Sequence, residues 1–146
     1  MNEVATPGAR RHEKYERLIA ATRAIRPIPC AVAHPCDASS LGGAVEAAEA
    51  GIILPILVGP AHKVLAAAQA AGLDIAPFEL VDVPHSHAAA AKAVELVRSG
   101  RAELLMKGSL HTDELMREIV AKERGLRTER RISHVFVMDV PSYPEP

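Results

Sequence analysis

Apolar residues along this chain fall into two rhythms, short near-continuous runs and stretches where they recur every three or four positions. The runs Cys30–Ala33, Leu54–Val58, Phe78–Val83, Leu104–Met106 and His134–Val140 predict five strands. Before them, Tyr15, Leu18, Ile19 and Thr22 sit at helical spacing, predicting a helix from Glu13 to about Ile25 that Pro27 and Pro29 end. Between the strands lie four more helices. One starts from a cap at Ser39 or Ser40 and ends at Gly51, with Gly42-Gly43 read as a close-packing point. The next follows Gly59-Pro60 and stops at Gly72. A third runs from about Ala88 to Ser99, closed by Gly100. The fourth runs from about Asp113 to Lys122, capped by Thr112, with Gly125 after it.

Strands that are apolar throughout and alternate with helices imply a mostly parallel sheet covered on both faces, an α/β three-layer sandwich. The expected organisation is a polar lead-in over residues 1–12 and a single α/β domain over 13–146. The fifth strand is followed only by PSYPEP, which leaves an apolar face uncovered and an edge unpaired. The sandwich is therefore expected to be incomplete. A homo-oligomer, or a fused or associated C-terminal portion, would close it.

Composition narrows the classes further. The chain has 146 residues, 49% hydrophobic content and a net charge of -1, which describes a globular domain with no cationic surplus for nucleic acid. With Trp 0, Tyr 2 and Phe 2, few rings are available for base stacking. No apolar run reaches the roughly 18 residues of a membrane span. The opening MNEVATPGARRHEKYER lacks the apolar core of a secretion signal, and Glu3, Glu13 and Glu16 argue against a transit peptide. Cys30 and Cys36 read as reduced thiols of a cytoplasmic protein. His34, Cys36, His85 and His87 match no established metal-ligand spacing, so no metal is expected.

The chemistry concentrates between Leu104 and Tyr143. Lys107-Gly108 ends the fourth strand, where glycine admits close backbone approach and the next helix aims its free amides at the same place. Thr112 adds a hydroxyl. Arg127, Arg130 and Arg131 crowd before Ser133-His134, and a guanidinium can hold a phosphate bidentately. Parallel strands start and finish at opposite ends, so Arg131 meets Lys107 only if the basic loop folds across the sheet or the fifth strand runs antiparallel. Arg117 is a further cation candidate, one turn from Asp113 and able to form an i,i+4 ion pair with it. Asp37 reads mainly as an acid at a helix N-terminus. His85, His87, His111 and His134 titrate near neutrality but show no carboxylate partner in sequence. A thiol nucleophile would need a lowered pKa, for which only His34 is near. The substrate expected is a phosphorylated molecule, or phosphate itself.

The segments Leu105-Met-Lys-Gly-Ser-Leu-His-Thr-Asp-Glu-Leu-Met-Arg117, Gly125-Leu-Arg-Thr128 and Arg131-Ile-Ser-His-Val-Phe-Val-Met138 resemble the phosphate acetyl/butyryltransferase family. Ala33-His-Pro-Cys-Asp37 and Pro55-Ile-Leu-Val-Gly-Pro60 fit the same pattern. The likeness is greatest to the acyltransferase part of bifunctional enoyl-CoA hydratase/phosphate acetyltransferases and spans about Tyr15 to Tyr143. It implies an isopropylmalate-dehydrogenase-like fold and transfer of an acetyl or butyryl group between coenzyme A and inorganic phosphate. Acyl-CoA and phosphate would be the substrates, with no permanently bound cofactor. It further implies that Lys107, Gly108 and Thr112 line a cleft, with Arg117, Arg131 and Ser133 contacting phosphate or the acyl carbonyl. No catalytic residue is assigned. Family members continue well past Tyr143, into the part that supplies the second wall of the cleft, much of the dimer contact and the catalytic Ser/Asp region. This chain alone is therefore expected to show little or no transferase activity. A non-catalytic anion-binding or assembly domain of the same descent is the alternative. A fold relative acting on isocitrate or isopropylmalate would need a set of metal-binding aspartates, and Asp113 and Asp139 are too isolated to serve.

Overall fold

A computed structural model describes residues 13–140 and 142–143. The lead-in expected over residues 1–12 lies outside them. The elements are α1 (Glu13–Thr22), β1 (Ile28–Ala33), α2 (Ala38–Glu49), β2 (Ile53–Gly59), α3 (Ala61–Ala71), β3 (Glu79–Asp82), α4 (Ser86–Arg98), β4 (Leu104–Lys107) and α5 (Thr112–Ile119). The four strands pair in the order β3-β2-β1-β4, all parallel.

Alternation along each strand builds two cores, because successive side chains leave a strand on opposite faces. On one face Ala31, Ala33, Ile56 and Val58 meet Ala89, Ala93, Val94 and Leu96 of α4 and Leu115 of α5. On the other, Cys30, Val32 and Leu57 meet Leu41 and Val45 of α2 and Val64 and Ala68 of α3. This is the expected three-layer α/β sandwich, with helices on both faces of an open sheet.

Local chemistry corrects several boundaries. The cap of α2 is Asp37, not Ser39 or Ser40; its carboxylate accepts from the Ser40 amide and hydroxyl, both at 2.7 Å. The residue capping α5 is His111, and Thr112 is the first helical residue. Gly72 at φ 64 and Gly100 at φ 77 take up the left-handed conformation that closes α3 and α4. Gly42 and Gly43 have open space where a Cβ would be, so they mark no close packing. Helix α1 stops at Thr22, and none of its residues joins either core; Tyr15 and Leu18 face outward.

The expected fifth strand at His134–Val140 is absent. The segment is extended but unpaired, with Val135 76% and Phe136 73% exposed. Among the described residues Phe136 stacks only on His134, two residues back on the same side of an extended chain, with ring centroids 4.2 Å apart. Strand propensity measures packing on a pleated, covered surface, and no described element covers this one. The segment is tied down at its far end, where the Lys14 ammonium of α1 donates to the Val140 carbonyl and lies 3.9 Å from the Asp139 carboxylate.

Leu57, fully buried in the second core, should cost about 3 kcal/mol when changed to alanine. Phe136→Ser should shift the urea midpoint by less than about 0.5 kcal/mol equivalent. A large loss from Phe136→Ser would show that the segment is packed after all.

Candidate functional site

The order β3-β2-β1-β4 means that the chain leaves β1 in one direction and later returns to its other side with β4. The carboxyl ends of β1 and β4 therefore diverge into loops on opposite faces, making a topological switch point of the kind where open α/β sheets bind ligands.

The two loops are stitched together. The Gly108 amide donates to the Ala33 carbonyl at 2.8 Å, and the Ser109 amide to the His34 carbonyl at 2.8 Å, extending the β1–β4 ladder past both strands. A Cβ on Gly108 would lie 2.4 Å from the Ala33 oxygen and 2.5 Å from the His34 oxygen, so only glycine fits. The Ser109 hydroxyl donates to the His34 carbonyl at 2.9 Å and accepts from the Cys36 amide at 3.1 Å. The His34 Nδ1 lies 3.0 Å from the Ser109 carbonyl; a carbonyl only accepts, so Nδ1 is the donor in this contact. His34 holds φ 56, a left-handed conformation costly for a side chain with a Cβ and kept here by this network. Pro35 behind it is buried.

Lys107 is exposed at the mouth of this junction, its ammonium 3.3 Å from the Gly108 carbonyl and unpaired with any carboxylate among the described residues. On the same rim Glu114 holds the starts of α4 and α5 together. Its carboxylate accepts from the Ser86 hydroxyl at 3.1 Å and the His111 amide at 3.2 Å, and pairs with His87 Nδ1 at 3.1 Å. His85 Nδ1 accepts from the Ala88 amide at 3.1 Å and so caps α4. His87 thus has a carboxylate partner that sequence spacing did not reveal.

The residues expected to bind substrate lie in three places. Lys107 ends β4, Gly108 follows it and Thr112 opens α5. Arg117 lies exposed on α5, 3.9 Å from Asp113, as its spacing suggested. Arg131 and Ser133 lie in the exposed stretch after α5. Among the described residues, no hydrogen bond or ion pair links those two to Lys107, Gly108 or Thr112. Sequence reasoning passed over Ser109 and the His34 backbone. The available signal was a small hydroxyl directly after a strand-ending Lys-Gly, opposite a His-Pro turn at the end of another strand.

The thiols are poor nucleophiles here. Burial pushes Cys30 up to about 11, with a hydrogen bond to the Met106 backbone opposing that in part. Burial also raises Cys36, against the pull of Lys63 and with a smaller push from Asp37. Asp37 is held below the usual carboxylate range chiefly by the Ser40 hydroxyl. No group of three His, Cys, Asp or Glu side chains among the described residues is placed to hold a metal ion. No helix among them is long and apolar enough to cross a membrane.

No family model matches the chain. Curated proteins do. It is 66% identical over 132 residues to the phosphate acetyltransferase of Rhizobium meliloti, covering 90% of this chain and 42% of that protein. It is 51% identical over 121 residues to the phosphate acetyltransferase of Rickettsia felis, covering 83% of the chain and 35% of that protein. The phosphate butyryltransferase of Clostridium acetobutylicum is 39% identical over 113 residues, 77% of this chain and 38% of its own length. The chain spans about two-fifths of the length of the curated relatives it matches.

Gly108→Ala should force the β1 and β4 ends apart and cost about 2 kcal/mol or more, read as a fall in the urea midpoint. An unchanged midpoint would contradict the close approach. Because both thiol pKa values are raised, less thiolate is present at neutral pH than on a free cysteine. Iodoacetamide at pH 7 should therefore modify Cys36 more slowly than free cysteine, the rate climbing with pH, and should reach Cys30 only on unfolding. Faster-than-free labelling of Cys36 would refute this.

Proposed function

We propose, because the chain is homologous over nine-tenths of its length to the phosphate acetyl/butyryltransferase family, that it supplies one wall of a site for acyl transfer between coenzyme A and phosphate. The observation that carries the reading is the 66% identity over 132 residues to the Rhizobium meliloti phosphate acetyltransferase. The β1–β4 switch point, with an exposed lysine at its mouth, supports it.

In this reading a phosphate oxygen attacks the thioester carbonyl, and the carbonyl electrons move onto its oxygen. The tetrahedral intermediate then collapses with loss of coenzyme A as thiolate, leaving an acyl phosphate. Lys107 neutralises charge on the incoming phosphate, and Gly108 lets the backbone approach it closely. Thr112, in the first turn of α5, donates its hydroxyl to the same anion. Arg117, Arg131 and Ser133 contact phosphate or the developing oxyanion. Arg117 can exchange its exposed, loose pairing with Asp113 for a substrate oxygen at little cost. Holding both reactants in line and stabilising the oxyanion are what such a site contributes. His34 and Ser109 touch neither reactant and position the loops. Acyl-CoA and phosphate are the proposed substrates, and the other wall comes from a second copy or from a C-terminal portion. The thiols Cys30 and Cys36 fit a reducing, cytoplasmic setting.

Replacing the matched 132 residues of the Rhizobium meliloti protein with those of this chain should preserve phosphate-dependent thiol release from acetyl-CoA within about tenfold. Lys107→Ala in that chimera should lower kcat/KM about 100-fold. A folded chimera without phosphate-dependent release would overturn the acyltransferase reading in favour of an anion-binding or assembly domain. The 146-residue chain by itself is expected to turn over far below ordinary enzyme rates.

A further inference from the structure

Helix α4 is seated deep in the first core, where Ala89, Ala90 and Ala93 are fully buried and Val94 and Leu96 nearly so. Helix α5 has eight residues and rests on the same core through Leu115. Apolar contact holds α5 to the sheet but is non-directional, so it does not fix how far the helix slides or rolls. That setting matters, because α5 opens with Thr112 in the same short connection that begins at Lys107.

One side chain supplies the direction. Glu114, in the first turn of α5, turns one carboxylate oxygen back to the His111 amide at 3.2 Å, as an acid at that position commonly does. Its other oxygen reaches across to α4, accepting from the Ser86 hydroxyl at 3.1 Å and from His87 Nδ1 at 3.1 Å. Capping α5 requires the first contact and not the second pair. The Glu114 side chain is 12% exposed, so these donors satisfy it in place of bulk water. The connection from β4 to α5 is thereby pinned along its length. Gly108 and Ser109 are bonded to the β1 loop, Leu110 is buried in the first core, and His111 is bonded to Glu114. Lys107 and Thr112 stand at the two ends of this pinned segment.

We propose that Glu114 is a positioning residue for acyl transfer: by tying the first turn of α5 to Ser86 and His87 of α4, it holds Thr112 and the free α5 amides in place relative to Lys107. This rests on the acyltransferase reading, in which Lys107 and Thr112 meet the same anion. Glu114, Ser86 and His87 act through the connection and touch neither reactant. A displacement of about 1 Å at a group that orients a reactant is enough to cost a large factor in rate.

The chimera described above tests it, with folding of each variant followed by circular dichroism and the urea midpoint. Glu114→Asp keeps an acid to cap α5 but is one methylene too short to reach α4. It should lower kcat/KM for phosphate at least about tenfold, while KM for acetyl-CoA stays within about twofold and the urea midpoint stays near the parent's. Ser86→Ala/His87→Ala cuts the same tie from the α4 side and should cost a similar factor. Combined with Glu114→Asp it should add little further loss, because a tie already cut cannot be cut again. Glu114→Gln keeps the length and one acceptor oxygen, and should fall between the parent and Glu114→Asp. A folded Glu114→Asp chimera with full activity would overturn the proposal. So would losses that multiply when the two sets of changes are combined, or activity that simply tracks the urea midpoint. Any of these in an active parent chimera sinks this inference alone. A parent chimera that never transfers acyl groups sinks the reading beneath it, and this inference with it.

Discussion

The parallel pairing of β1 with β4 carries the rest of this architecture, and it does so beyond the strands themselves. Two further backbone hydrogen bonds, from Gly108 to Ala33 and from Ser109 to His34, hold the loops together where a strand pair would ordinarily splay. They form only because position 108 has no Cβ to strike the opposing carbonyls. From that contact follow the left-handed His34, a His34 carbonyl that accepts from the Ser109 amide and hydroxyl and from the Cys36 amide, and the placement of Lys107 at an open rim. The sheet's strand order puts this junction at a switch point, and the glycine lets the two loops meet there.

Polar groups around this rim are mostly committed to structure. Asp37 caps α2, His85 caps α4, and Glu114 bridges the starts of α4 and α5 while facing His87. The thiols are held protonated by burial. Lys107, by contrast, is left without a carboxylate partner among the described residues, and so are Arg127, Arg130 and Arg131 past α5. Formal charge that folding does not consume is what an anionic ligand can use, since exposed cations without partners lose little when an oxyanion replaces water.

The segment from Ile132 to Val140 shows what intrinsic preference does and does not decide. Its β-branched and aromatic residues keep the backbone extended, as their propensity dictates. Preference for an extended backbone is a local property, whereas a ladder needs a partner edge and a covered face. The neighbouring edge strand, β4, is only four residues long and partly exposed itself. The same reasoning accounts for α1, where helical spacing was real but no core surface received the apolar side chains.

Most of the alternation of strands and helices was legible in the chain, because it follows from local periodicity and from Gly and Pro at the ends of elements. The strand-to-helix turn that carries Lys107, Gly108 and Thr112 was legible for the same reason. Ser109 and His34 were not, since their roles arise from carbonyls and amides 75 positions apart meeting across the sheet. The cap at Asp37 was underestimated because Ser39 and Ser40 carry the same local signal, and only geometry chose between them. Sequence alone determined where the chain would be helical or extended. Tertiary structure alone decided which strands are neighbours, which loops share a cleft and which cations stay unpaired, because those outcomes depend on long-range contacts that periodicity does not encode.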